Sequence, residues 1–335
     1  MVRAGAAEWW WCWCLVLSSS VTAEPMNSAF VFIKPHAATK ATESMVREHL
    51  ATVGLTITAE GVIEAERIDE DALIDTHYGA IAAKAVDLLP HELVLTEDAK
   101  AKFQATFGLS WEAALEDKVL MNAKAACQHL GMDAATMGKL WGGLKKGEDL
   151  VKLAGGFYCG RLRDIIVVNG FYMNMRAAFT TPPARIVYMS VEWAENDLSW
   201  SDFRSSVIGA TDPSIASPGS LRHTIASRWT QLGLPGAPTM SENGVHGSAS
   251  PLEALGERMN WMGARLEDDA FGSAMIRVGI PSGTIRDFVR DPQVPDAEGH
   301  QSSLFDLLED LDATTCLQRC QQIHKRIAAR HIEEL

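Results

Sequence analysis

The sequence predicts an α+β fold, because strand and helix patterns alternate along the chain outside a long alanine-rich middle segment. Residues 30–34 form an apolar run closed by a proline, which predicts a first strand. Apolar residues at helical spacing follow over 45–53 and end at Gly54, which predicts a helix. The β-branched alternation of 55–63 predicts a second strand, and 185–193 predicts a third.

Several further helices are expected around these strands. Asp69 is placed to cap a short helix that ends near Tyr78. Four more helices are predicted, over 200–208, 221–229, 251–261 and 303–330. Pro251 occupies the first-turn position that proline favours in a helix.

The middle of the chain has a different composition. Alanine, lysine and leucine dominate residues 79–170 in helical patterns such as 111–126, and only 165–168 resembles a strand. No cluster of catalytic residue types occurs there. The predicted division is therefore a discontinuous domain (26–78 and 171–264), a mainly helical insertion (79–170) and a C-terminal extension (265–335).

The first 25 residues support two interpretations. An apolar, tryptophan-rich run over 9–17 precedes small residues at 21–23, as in a secretory signal peptide. The run is too short to span a bilayer as a helix. Met26 lies four residues before the first strand, so a start at Met26 is the alternative. A genuine signal implies the secretory pathway or an organelle; otherwise we expect a cytoplasmic protein.

Composition excludes some functions. The 335 residues are 47% hydrophobic and 22% charged, which is enough for a well-buried core. A net charge of −13 argues against nonspecific binding to nucleic acid or anionic membranes. Anionic ligands would need a local basic pocket. The six cysteines show neither zinc-site nor C-x-x-C spacing, so thiols in a reducing compartment are expected.

Two turn-rich segments, 209–222 and 243–248, carry the residue types of a phosphate site. His246 is followed by glycine, which leaves one side of the imidazole open, and a neutral imidazole is a good nucleophile. Phosphoryl transfer needs positive charge and hydrogen-bond donors around the phosphate. Arg222 offers a bidentate fork and Thr211 a hydroxyl. Arg204 and Lys34 are candidates to complete this cradle, and Glu257 is a candidate to orient the imidazole.

Together these residues resemble the motifs of the nucleoside diphosphate kinase family. The matching motifs are I-K-P at 33–35, H-Y at 77–78, G-x-T-x-P at 209–213 running to P-G-S-L-R at 218–222, N-x-x-H-G-S at 243–248, and a glutamate at 257. Ser220 and Leu221 replace the usual Thr-Ile. The resemblance covers 30–78 and 171–263, somewhat under half of the chain.

This resemblance implies a ferredoxin-like αβ sandwich with a central antiparallel sheet. It also implies that the γ-phosphate of ATP or another nucleoside triphosphate passes to a diphosphate through a phosphohistidine on His246, in a ping-pong exchange. The implied roles are positioning of His246 by Ser248 and Glu257, phosphate contacts from Lys34, Tyr78, Arg204, Thr211 and Arg222, ribose contacts from Asn243 and Lys34, and base stacking on Phe171. Mg²⁺ would be bound mainly by the nucleotide phosphates, without a metal site made by the protein. A homo-oligomer formed through the loop over 212–219 is implied too.

Four departures from the family pattern leave an alternative open. His36-Ala37 stands where the family has Asp-Gly, and Ala249 stands where it has aspartate. Arg204 lies one residue further from the following glycine than usual, and about ninety residues separate Tyr78 from Phe171. The alternative is a catalytically weak member of the family that binds nucleotides or acts as a scaffold. A histidine phosphatase or phosphotransfer relay ranks lower, because the R-H-G signature is missing.

Overall fold

A four-stranded antiparallel sheet lies at the centre of the discontinuous domain. The computed structural model describes residues 25–333, with side chains to residue 329, so the expected leader lies almost wholly outside the described residues. The strands are β1 (Met26–Ile33), β2 (Thr56–Glu64), β3 (Leu120–Asn122), β4 (Leu150–Ala154), β5 (Phe157–Leu162), β6 (Ile165–Val168), β7 (Arg185–Ala194), β8 (Val245–Gly247), β9 (Gln293–Pro295) and β10 (Gln301–Ser303). The central sheet has the order β2-β7-β1-β8 with antiparallel neighbours, which is the ferredoxin-like order expected.

Helices cover both faces of this sheet. One face carries helices with buried residues such as Leu50 and Leu221, and the other carries the helix of Trp261. All α-helices of the described residues, those of the insertion and the extension included, are α1 (Lys40–Thr52), α2 (Ala65–Glu70), α3 (Leu73–His77), α4 (Gly79–Ala82), α5 (Glu97–Phe107), α6 (Trp111–Glu116), α7 (Ala123–Leu130), α8 (Ala134–Gly142), α9 (Phe171–Thr180), α10 (Trp200–Asp202), α11 (Leu221–Ser227), α12 (Pro251–Met262), α13 (Ala270–Arg277), α14 (Ser282–Phe288), α15 (Leu304–Leu308) and α16 (Ala313–Glu333). A π-helical turn, Phe203–Ile208, continues α10. Within 25–333 we find no helix with the length and apolar character needed to cross a membrane.

β1 is buried on both faces, which explains its continuous apolar sequence. Val31 and Ile33 pack in the core that includes α1 and α11. Phe30 and Phe32 point to the opposite face, into a core shared with Trp261 of α12. Because successive side chains of a strand alternate between faces, both layers are anchored on the same strand.

The insertion is mainly helical, as predicted, but it also contains a second sheet. The strands β3, β6, β5 and β4 are neighbours in that order, and of these only the strand at 165–168 is predicted from sequence. The helix predicted over 111–126 is interrupted by Lys118 at φ +56° and then by β3, which pairs in parallel with β6. Leu120 and Asn122 are buried there, so tertiary pairing outweighs the local helical preference.

Three other predicted boundaries are wrong. The first strand, predicted over 30–34, begins at Met26 itself and ends at Ile33. The single helix predicted over 303–330 is divided into α15 and α16, and Asp310 between them has φ +63°. Asp69 lies inside α2 and pairs with Arg176, and Ala72 precedes α3 in its place. Cys316 and Cys320 are buried free thiols in α16.

Candidate active site

The short edge strand β8 presents His246 beside the centre of the sheet. Pairing with β1 sets His246 opposite Phe32, and the two rings stack with centroids 4.7 Å apart. Gly244 has φ +91°, and a Cβ there would lie 2.6 Å from Ile225 Cδ1. A Cβ on Gly247 would lie 2.9 Å from Ile208. The glycines on either side of His246 are therefore required by close packing and backbone conformation.

Glu257 holds the imidazole through one ring nitrogen. Ser250 caps α12 by accepting a hydrogen bond from the Glu253 amide, which fixes the start of the helix that carries Glu257. Glu257 Oε1 lies 2.5 Å from His246 Nε2, and Ser248 Oγ donates to Glu257 Oε2 at 2.5 Å. An Nε2–H that donates to the carboxylate leaves the Nδ1 lone pair free, as a nucleophile requires.

The surroundings keep this imidazole neutral. Burial, followed by the positive charges of Lys34 and Arg222, holds the pKa of His246 well below its usual value. Burial raises the pKa of Glu257 to about 7, although its neighbours His77 and Ser248 favour the carboxylate. A neutral, oriented imidazole beside a titratable carboxyl group is suited to nucleophilic catalysis.

His77 is a site residue that the sequence analysis did not select. Its Nδ1 lies 3.5 Å from Glu257 Oε1 and accepts a weak hydrogen bond from Trp261 Nε1 at 3.4 Å. Burial lowers the pKa of His77 to about 3. The ligand atoms of His77, His246 and Glu257 lie within 4.8 Å of one another, a spacing that would accommodate a metal ion. The only sequence signal for His77 was its position next to Tyr78.

A cationic cavity of about 350 Å³ opens on one side of His246, with Arg204, Thr211 and Arg222 in its lining. Arg222 donates from Nε to Val245 O at 3.1 Å and from Nη1 to Gly209 O at 2.8 Å. Among the described residues no carboxylate forms an ion pair with it. Burial and then the charge of Arg204 lower the pKa of Arg222 to about 10, so it remains a cation at neutral pH. The cavity thus has a rigidly held, uncompensated positive charge.

Lys34, just after β1, and Asn243, in the loop before β8, lie near residues of this cavity but outside its lining. Lys34 Nζ donates to Ser241 O at 3.1 Å, and burial and Arg222 lower its pKa to about 8. Asn243 donates to Thr211 O at 3.0 Å, while its buried Oδ1 has no hydrogen-bond partner in the described part of the chain. His36 Nε2 accepts a hydrogen bond from the Gly244 amide at 3.1 Å and so supports the loop before His246.

Arg204 differs from Arg222 in its partners. Its Nη1 lies 2.6 Å from Glu309 Oε1 and 2.7 Å from Asp310 Oδ1, and both acids belong to the C-terminal extension. No local pattern predicts these contacts, since more than a hundred residues separate the partners.

A second cavity, of about 340 Å³, opens on the other side of His246 and is lined partly by Tyr78. The extension contributes Arg290 and Phe305 to its wall. Burial and then the charge of Glu257 raise the pKa of Tyr78 to about 12, so its hydroxyl remains a hydrogen-bond donor. Glu253 lines both cavities, and burial together with Glu257 raises its pKa to about 8.

Phe171, the residue predicted to stack on the base, lines neither of these cavities. It begins α9 and packs against Trp141 and Tyr158 of the insertion, with ring centroids 6.0 Å and 5.7 Å away. The ring of Phe171 thus packs against aromatic side chains of the insertion. The other predicted residues are brought together around His246.

Comparisons with known proteins give a distant likeness. No family model and no curated protein matches the sequence. Among solved structures, the chain is similar to a nucleoside diphosphate kinase from Encephalitozoon cuniculi, with 15% identity, 71% of this chain and 90% of that chain covered, and a TM-score of 0.34. The enzyme from Pyrobaculum aerophilum shows 17% identity over 71% and 96% of the two chains, with a TM-score of 0.33. That from Halobacterium salinarum, in complex with CDP, shows 14% identity over 66% and 76%, with a TM-score of 0.31. Likenesses at this level carry nothing about activity.

Proposed function

We propose that the protein is a phosphotransferase of the nucleoside diphosphate kinase type, in which His246 carries the phosphate. The observation that carries this proposal is the hydrogen bond between His246 Nε2 and Glu257 Oε1. It leaves Nδ1 of His246 free, beside a cavity lined by Arg222 and Thr211. The sequence resemblance supports the same chemistry and supplies the substrate class, nucleoside triphosphates and diphosphates.

In the proposed reaction the Nδ1 lone pair of His246 attacks the γ-phosphorus of a nucleoside triphosphate. The bond from that phosphorus to the bridging oxygen breaks, and the diphosphate leaves with the electron pair. A terminal oxygen of a second diphosphate then attacks the phosphohistidine and restores Nδ1. The Nε2 proton stays beside Glu257 throughout, and the carboxylate stabilises the charge that develops on the ring.

The cations of the cavity stabilise the transferred phosphate. Arg222 compensates its negative charge from within the cavity, together with Lys34, whose charge acts on His246 from outside the lining. Thr211 and, from the second cavity, Tyr78 supply hydroxyl donors. Mg²⁺ held by the nucleotide phosphates would neutralise further charge. Asp310 and Thr211, which carry oxygen ligands of the kind Mg²⁺ prefers, line the cavity that contains Arg222.

The test is transfer of a radiolabel from γ-labelled ATP to the full chain. We expect an acid-labile, base-stable label that any nucleoside diphosphate removes. His246→Ala should take up no label, whereas His324→Ala, in α16 and outside the cavities, should label like wild type. A wild-type protein that binds nucleotide but takes up no label would overturn the kinase proposal.

A second function, nucleotide binding without transfer, is favoured by one observation. Arg204 already pairs with two carboxylates, which weakens the positive field that a transferred phosphate needs. Equilibrium binding of ADP by a chain that does not form phosphohistidine would select this function.

The homo-oligomer and the cytoplasmic location stay predictions. The loop over 212–219 carries Ile215, whose surface is 75% exposed. It is the apolar side chain that an association through this loop would cover.

A further inference from the structure

The strongest unexplained feature next to the site is the pairing of Arg204 with the C-terminal extension. Glu309 and Asp310 contact the same guanidinium nitrogen, and Asp310 also lines the cationic cavity with Arg222 and His246. The two acids lie in a turn between α15 and α16, which we call the acidic turn (residues 309–312).

The acidic turn is anchored on the domain that carries His246. The Asp310 amide donates to Ala249 O at 3.0 Å, three residues after His246. Asp312 Oδ1 accepts from Asn27 Nδ2 at 2.8 Å and from the Trp200 amide at 2.7 Å. The turn is thus built against β1, α10 and the segment after β8, and its carboxylates are held beside Arg204.

The charge and exposure of the ion pairs Arg204–Glu309 and Arg204–Asp310 allow an anionic ligand to replace the two acids. Arg222 is held by neutral carbonyl groups, whereas Arg204, a single positive charge, faces two negative ones. The side chains of Glu309 and Asp310 are 47% and 45% exposed, and exposed ion pairs contribute little stability. A polyphosphate chain carries more negative charge than either acid and can replace them at the guanidinium.

We propose that the acidic turn is an internal electrostatic gate, in which Glu309 and Asp310 compete with the polyphosphate chain of the nucleotide for Arg204. The gate deepens the proposed function and rests on it for the identity of the anion. Substrate entry then requires release of Arg204 from the acids, so contacts that shift the extension alter the affinity of the site for phosphate.

The first test measures binding of inorganic tripolyphosphate to the full chain by isothermal titration calorimetry. In Glu309→Gln/Asp310→Asn the affinity should rise about tenfold at low salt, as expected for removal of two competing ion pairs. The gain should shrink toward about 1 M salt, where charges are screened within about 3 Å. Asparagine tolerates the left-handed backbone of position 310, and a melting curve checks that the fold is kept.

The matched control is Glu267→Gln/Asp268→Asn, which makes the same change of net charge elsewhere in the extension. These acids pair with Arg286 and Arg265 and line neither cavity. Their removal should change the affinity by less than about twofold. In an Arg204→Ala background, the gain from Glu309→Gln/Asp310→Asn should disappear, because the group that the acids mask is absent.

Several outcomes overturn the gate. They are an unchanged or weaker affinity in Glu309→Gln/Asp310→Asn, an equal gain in the control pair, a gain that persists without Arg204, or no binding of tripolyphosphate by either chain. Labelling of His246 is measured separately. If Glu309→Gln/Asp310→Asn binds tripolyphosphate more tightly but no phosphohistidine forms, the kinase proposal is rejected and the gate is supported for anions in general. If His246 is labelled but the affinity for tripolyphosphate is unchanged, the kinase proposal is supported and the gate is rejected.

Discussion

The segment from β8 into α12 and the insertion meet the same site in different ways. In the first, His246, Ser248 and Glu257 lie close in sequence and make the mutual contacts expected of them. In the second, Phe171 turns to aromatic partners inside the insertion and not to the cavities beside His246. The comparison teaches that the environment of the proposed nucleophile, His246, depends on a short, locally determined segment, while the position of Phe171, the proposed base-stacking residue, depends on long-range packing.

Removing the carboxylate of Glu257 should produce the largest effect. In Glu257→Ala, phosphorylation of His246 should slow by about 10²- to 10⁴-fold, because the imidazole loses its orienting partner and charge stabilisation. Rapid-quench measurement of phosphohistidine in a single turnover gives this rate. Glu253→Gln, one turn earlier on α12 and with no hydrogen bond to His246, should lose less than about tenfold. Equal losses in the two variants would contradict the assigned role of Glu257.

Removal of Arg222 should lower kcat/KM more than removal of Arg204. We expect Arg222→Ala to lower kcat/KM for a nucleoside triphosphate about 100-fold, and Arg204→Ala only about tenfold, because acids already compensate Arg204. Lysine at 222 should not restore activity, since a single ammonium cannot reproduce the fork that reaches Val245 O and Gly209 O. Steady-state kinetics check both statements, and a greater loss for Arg204→Ala would reverse this ranking.

We expect kcat/KM to rise and then fall as the pH increases through the neutral range. The raised pKa of Glu257, about 7, means that the carboxylate forms only as pH increases through that value, so kcat/KM should rise there about tenfold per unit. The lowered pKa of Lys34, about 8, means that its positive charge is lost above that pH. Glu253 becomes negative over the same range and adds to the loss.

Lys34→Arg tests the alkaline side of this profile, because an arginine keeps its charge. The decline should then move to higher pH and leave only the part due to Glu253. A profile of kcat/KM that stays flat across the neutral range would show that neither group limits the reaction.

Phe171→Ala should have the smallest effect on catalysis. The KM for ATP should change less than about threefold, while the free energy of unfolding falls by about 1–3 kcal/mol, because the ring packs in the insertion. Thermal denaturation beside steady-state kinetics separates the two effects, and Tyr158→Ala should repeat the same pattern. A large rise in KM for every nucleotide at unchanged stability would instead identify Phe171 as the base-stacking surface.

Local patterns predicted most of the central domain. The strands at 55–63 and 185–193 and the helix at 251–261 were found at nearly those bounds, and the strand predicted at 30–34 was found but begins four residues earlier, because alternation and helix capping are local signals. The predicted helices over 111–126 and 303–330 were each broken at a residue with positive φ, Lys118 or Asp310. The pairing of β3 with β6 and the anchoring of the acidic turn depend on residues that are distant in sequence. Local propensity therefore cannot predict these contacts.

By itself, the sequence determined the arrangement of the proposed nucleophile and its partners. His246, Ser248 and Glu257 lie within twelve residues, which span one short strand and the start of one capped helix. Only the tertiary structure decided what surrounds that group. His77 beside Glu257, His36 beneath Gly244, and the acidic turn at Arg204 come from distant parts of the chain. Their contacts arise when packed elements meet, and side-chain packing across such distances has no signature in a local pattern.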